Sequence, residues 1–60
     1  MLIMVEVNFR DLQVHRDGSV ICDEKFDEDM SEEEITKIFK PLVTNYLGHS
    51  NFRINSVSGI

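Results

Sequence analysis

The sequence predicts an α+β domain of order β-β-α-β. A three-stranded antiparallel sheet, strand order 2-1-3, carries one proline-kinked helix (about 32–47) on one face. Three observations predict it. A capped, amphipathic segment runs from Ser31 to Gly48. A strongly alternating apolar run, Ile3, Val5, Val7 and Phe9, opens the chain. Two further strand-like runs lie either side of the helix, the first introduced by Asp17-Gly18. A hairpin makes strand 2 antiparallel to strand 1, and the helix returns the chain so that strand 3 is antiparallel to it as well. That order puts the most apolar strand in the middle. It leaves one sheet face open or buried in a dimer, and strands 2 and 3 as edges. Sixty residues make a single domain, 1–60.

Residues 2–9 read as the first strand, with Glu6 and Asn8 opposite the apolar face. At Arg10-Asp11 the phase slips, and the next apolar residues, Leu12 and Val14, are even-numbered. A bulge near that point accounts for the slip, and a short turn is the alternative. Arg16-Asp17-Gly18-Ser19 is the expected hairpin turn, because a type I′ turn needs positive φ at both central residues and Asp-Gly supplies it. Leu12 and Val14 are then expected to pair with Val20, Ile21 and Cys22, in a second strand from about 19 to 26. Phe26 is the apolar exception in an acidic loop and is expected to anchor it.

The helix is written in its caps and its period. Ser31 and Glu34 form a capping box, in which the hydroxyl accepts from the Glu34 amide and the carboxylate reaches back to the Ser31 amide. Met30 and Ile35 stand where a hydrophobic staple places them. Ile35, Ile38, Phe39, Leu42 and Tyr46 share a face, and Val43 and Leu47 widen it toward either the core or a dimer seam. Gly48 is placed to close the last turn in a left-handed conformation. Pro41 falls on the opposite side, and because the apolar face keeps its phase across it, one bent helix is expected rather than two. Phe52-Arg53-Ile54-Asn55 alternates as the third strand, to about Val57, with Ser58-Gly59-Ile60 as a loose end.

Charge is the informative part of the composition. The net is −5, unevenly placed: residues 23–34 hold eight acids against Lys25, while the remaining three acids and five bases leave the body at +2. One strongly negative corner on a near-neutral body argues against nucleic acid or an anionic membrane as the partner. Glu32, Glu33 and Glu34 have a local duty at the positive end of the helix dipole, and Glu33 is spaced to pair with Lys37. Asp23, Glu24, Asp27, Glu28 and Asp29 have none, and are either a solvated loop or a recognition surface.

Other chemistries fit less well. Counted from Asp23, acids fall at loop positions one, five, seven and twelve, but Lys25 and Glu28 stand where an EF-hand needs an oxygen ligand and glycine, so no metal is expected. Cys22 and His15 are the one Cys-His pair that the predicted hairpin could bring together, with Cys22 otherwise a small apolar core residue. Arg10, Arg16 and Arg53 beside Phe9 and Phe52 could form a basic-aromatic face for single strands. No glycine-rich loop or activated acid is present, so no enzyme and no cofactor are expected. A lone cysteine suits a reducing compartment. Met1–Val5, stopped by Glu6, is too short for a signal-peptide core or a membrane span. The expectation is a soluble cytoplasmic protein.

In size, acidity and mixed α/β pattern the chain resembles the small inhibitors carried by phages and plasmids, some of which occupy nucleic-acid grooves of host enzymes by presenting carboxylates like a row of phosphates. The resemblance is one of general character. It implies a non-enzymatic module that binds a basic protein surface, with no direct contact to nucleic acid or membrane. The expected contact set is Asp27, Glu28, Asp29, Glu32 and Glu33. The alternative is a structural or regulatory homo-oligomer that uses the open sheet face or an edge strand, with the acids as solubilising surface.

Overall fold

In the computed structural model, which describes residues 2–60, the chain forms β1 (Ile3–Asp11), β2 (Arg16–Glu24), α1 (Glu32–Leu47) and β3 (Phe52–Gly59). The sheet has order β2-β1-β3, with β1 antiparallel to both neighbours, as expected. Val5, Val7 and Phe9 alternate along β1 and are buried beneath Phe39 and Val43 of α1. Ile35, Ile38, Leu42 and Leu47 of the helix, Val20 and Cys22 of β2, and Phe52, Ile54 and Val57 of β3 pack around this centre and stay only partly covered. Val43 and Leu47 therefore complete the core. Tyr46 does not: it is 63% exposed and touches the core only edge-on, its ring centroid 6.2 Å from that of Phe9.

The helix starts and ends where its caps dictate. Ser31 has extended backbone and its hydroxyl accepts from the Glu34 amide at 3.3 Å. The Glu34 carboxylate reaches back to the Ser31 hydroxyl at 3.4 Å, rather than to the Ser31 amide. Gly48 has φ 83° and its N–H donates to Thr44 O at 2.8 Å. Pro41 lies inside one continuous helix, on the exposed side. Met30 accepts from the Asp27 amide through its sulfur at 3.3 Å and lines a groove with Phe26 and Ile38, while Ile35 lines another with Ile54 and Val57.

The hairpin departs from expectation. Asp17 and Gly18 lie within β2, and the turn is the four residues Leu12–His15, closed by the pair Asp11↔Arg16. Leu12 and Val14 are turn residues and pair with nothing in β2; Val20, Ile21 and Cys22 face Val7, Glu6 and Val5. The phase slip at Arg10-Asp11 marks the approach to this turn. Asp11 holds the turn: its Oδ1 accepts from the Gln13 and Val14 amides at 2.9 and 3.4 Å. The Leu12 amide donates to Asn51 O at 3.0 Å, and His15 closes the loop at φ 55°, a region that histidine enters more readily than most residues.

Gly18 has a different duty from the one its neighbour suggested. A Cβ there would lie 2.8 Å from Phe9 Cζ. Gly18 faces Phe9 across the strands, and its bare Cα leaves room for the end of the ring. The bulge is real but lies in β3. The register passes from Asn8↔Ser56 to Phe9↔Ile54, so Asn55 is the extra residue. It lets Ile54 and Val57, three apart, face the same core. The carboxyl-terminal residues are ordered rather than loose: Ser58 and Gly59 pair with Glu6 and Val5, and the Ile60 amide donates to Met4 O at 2.9 Å.

Gly18→Ala is expected to cost about 1–3 kcal/mol, the usual penalty for overpacking. In a Phe9→Leu background the same substitution should cost clearly less, because the ring that it meets is gone. Denaturant unfolding of the four proteins tests this; a penalty independent of Phe9 would mean that the ring is not what the added methyl meets.

Candidate functional site

The acidic corner is built by the β2–α1 connection and the first turn of α1. Asp27, Glu28, Asp29, Glu32 and Glu33 are all exposed. The connection is held by hydrogen bonds among its own residues. The Met30 amide donates to Asp27 O at 3.0 Å, the Asp29 amide to Asp27 Oδ1 at 3.0 Å, and the Asp27 amide to the Met30 sulfur at 3.3 Å. Phe26 anchors the segment, packing edge-on against Phe39 with centroids 6.3 Å apart.

The structure divides the five residues. Asp27 and Asp29 line an open groove of about 420 Å³ with Lys25, Glu34 and an apolar floor of Phe26, Met30 and Ile38. Glu32 and Glu33 line a separate open depression with Thr36 and Lys37. Glu28 borders neither. Among the described residues the ion pairs are Arg10–Asp17 at 3.1 Å and Asp11–His49 at 3.2 Å, so the Glu33–Lys37 pair does not close and all five carboxylates keep their charge free for a partner.

The acids do not converge on a cation. Asp27 accepts from the Asp29 amide and Glu24 from the Lys25 amide, so both cap local backbone. Among the described residues no group of three or more His, Cys, Asp or Glu is arranged to hold a metal ion.

The Cys-His and arginine constellations come apart. Cys22 faces Val5 near one end of the hairpin, whereas His15 sits in the turn at the other. Burial pushes the Cys22 thiol up, and Glu24 and Asp23 push it further, which disfavours a thiolate. Arg10 and Arg53 are opposite each other on the sheet face away from the helix, while Arg16 pairs with Asp11 on the helix side. Phe9 is buried under the helix and Phe52 packs edge-on against it, centroids 6.3 Å apart. The aromatic rings thus lie on the face opposite Arg10 and Arg53, and no stacking platform forms. Arg10 is also engaged, bonding Asp17 and, at 3.4 Å, His15 O.

Sequence reading missed the latch between Asp11 and His49. Asp11 is 8% exposed, and its Oδ2 lies 3.2 Å from His49 Nε2. His49 Nδ1 accepts from the Asn51 amide at 3.0 Å, so the proton of the neutral ring is on Nε2 and points at Asp11. Burial raises the Asp11 pKa, but the Gln13 amide, the His49 ring and the Val14 amide together outweigh it and hold the carboxyl below the ordinary value of 3.8. The latch ties the β1–β2 turn to the α1–β3 connection. A signal was present in the turn-forming Asp11, but its partner lies 38 residues away in sequence.

Comparison with family models, curated proteins and solved structures finds no match for the chain. No helix among the described residues is long and apolar enough to cross a membrane.

Because the folded Asp11 binds its proton more weakly than the unfolded chain does, its stabilising contribution is present above pH about 4 and is lost as pH falls through the lower, folded value. Asp11→Asn should lower Tm at pH 6 and flatten the fall in stability below pH about 4. Thermal melts of both proteins over a pH series check this; parallel curves would remove Asp11 from the account of acid sensitivity.

Proposed function

We propose that this chain is a non-enzymatic binding module whose acidic corner docks on the basic surface of another protein. Asp27, Glu28, Asp29, Glu32 and Glu33 are the contact set. The observation that carries the reading is that all five are exposed and that, among the described residues, none has a cationic partner, on a chain whose remaining body is slightly positive. A fixed turn supports the first three, which lowers the ordering cost of binding. A partner basic enough to attract this corner is most simply a protein that itself binds nucleic acid, which makes the chain its inhibitor or regulator, of the phage or mobile-element type, acting in the cytoplasm. Carboxylates would occupy the cation sites meant for phosphates.

A second reading, self-association through the sheet, is favoured by Met4 and Ile21, both more than half exposed on the face away from the helix. The two readings use different surfaces and are compatible.

Affinity capture over a salt series tests the first, with wild type beside an Asp27→Asn, Glu28→Gln, Asp29→Asn variant. The wild type should retain a nucleic-acid-binding protein at low salt, release it as salt rises, and lose it to heparin. Three exposed ion pairs at about 0.2–1 kcal/mol each predict a complex weaker by about 3- to 160-fold for the variant. Equal capture by both baits, or binding indifferent to salt, would overturn the reading.

A further inference from the structure

The two edges of the sheet are unlike. β3 is broken by the bulge at Asn55, one of the devices by which natural edges avoid pairing. β2 has no such protection. All nine of its residues pair in unbroken register with β1, and it contains neither proline nor lysine. Its helix-side row, Gly18, Val20, Cys22 and Glu24, is only half-buried, and Ile21 on the other face is 56% exposed. β2 is therefore a long, regular edge with an apolar middle.

The charges of this edge are ordered along the strand. It starts with Arg16 beside Asp17, whose charge Arg10 of β1 meets at 3.1 Å, so that this end is left net positive, and it ends acidic, with Asp23 and Glu24 leading into Asp27 and Glu28. A strand charged this way complements an antiparallel copy of itself. We propose that β2 pairs antiparallel with β2 of a second copy across a two-fold axis at Val20, joining the two sheets into one of six strands.

Val20 is the middle residue of Arg16–Glu24, so this register pairs all nine residues. On the helix-side face Arg16 meets the partner's Glu24 at both ends, Cys22 meets the partner's Gly18, over which the end of that copy's Phe9 ring lies, and Val20 meets the partner's Val20. On the open face each Ile21 meets the partner's Ser19, and the two Ile21 side chains are diagonal neighbours that shield one another. The like-charged contacts set Asp17 against the partner's Asp23, once at each end, and Arg10, 3.1 Å from Asp17, offsets each. The half-buried row of β2 gains the cover that the helix does not give it. The contact set Asp27, Glu28, Asp29, Glu32 and Glu33 lies beyond the paired strands and stays available.

Sedimentation over a concentration series tests this, with three variants beside wild type. The wild type should be a dimer that dissociates on dilution. Arg16→Glu should raise its dissociation constant about tenfold or more, because two attractive pairs become repulsive. The double variant Arg16→Glu, Glu24→Arg should restore it, since the charges again oppose across the axis. Val20→Cys in a Cys22→Ser background should give an intermolecular disulfide on oxidation, because directly opposed residues bring their Cβ atoms to about 4.5–5.5 Å, from which a small shift reaches disulfide geometry. A monomer at millimolar concentration overturns the proposal. So does a dimer indifferent to Arg16→Glu. Circular dichroism confirms that each variant is folded, and the charge swap remains decisive even if the cysteine variant is not.

Discussion

A single 16-residue helix covers a single strand, and the rest of the molecule follows from that constraint. Val5, Val7 and Phe9 of β1 lie between two hydrogen-bonded neighbours and beneath Phe39 and Val43, so among the described residues the fully buried apolar core comes from β1 and α1. Burial of apolar surface is the main favourable term in folding, and a chain this short has little of it. β2 and β3 contribute half-buried rows that depend on β1 for their position. The edges and the open sheet face are thus what remains after the one helix has been placed.

The two ends of the sheet are finished differently. At the turn end, Asp11 ties two connections together through His49 and the Gln13 and Val14 amides, which spends that carboxylate on structure. At the other end, the β2–α1 connection concentrates carboxylates and leaves them unpaired, held in place by Phe26 and by a turn that bonds to itself. Charge at one end is consumed and at the other is presented. This contrast is what the proposed recognition role for Asp27–Asp29 and the first turn of the helix rests on.

Much of the fold was legible because its signals are local. Ser31, Glu34 and Gly48 mark the helix ends through hydrogen bonds spanning three or four residues, and the alternation of Ile3 to Phe9 marks a strand that is covered on one side. The hairpin was misread because the meaning of Gly18 is set by Phe9, nine residues away across the sheet, and not by the Asp-Gly pair it belongs to. The true turn, Leu12–His15, carries two apolar residues and no glycine; what makes it turn is the Asp11 carboxylate and a backbone bond to Asn51. The bulge at Asn55 was hidden for the same reason, since only the partner strand reveals an extra residue. The acidic corner was visible in composition alone. Its division into a groove rim and a separate helix-turn pair required the fold, as did the separation of Arg10 and Arg53 from the aromatic rings.

Residue-resolved amide hydrogen exchange, measured at a concentration where the chain is monomeric, tests the dependence on β1 most directly. The account predicts that the slowest amides are those of β1 between Val5 and Phe9 and of α1 around Phe39 and Val43, exchanging only by global unfolding. The β2 amides that point away from β1 should exchange fast. If the slowest amides were instead in β2 or β3, the β1–α1 layer would not be the foundation of the structure, and the account of the two edges would have to be abandoned with it.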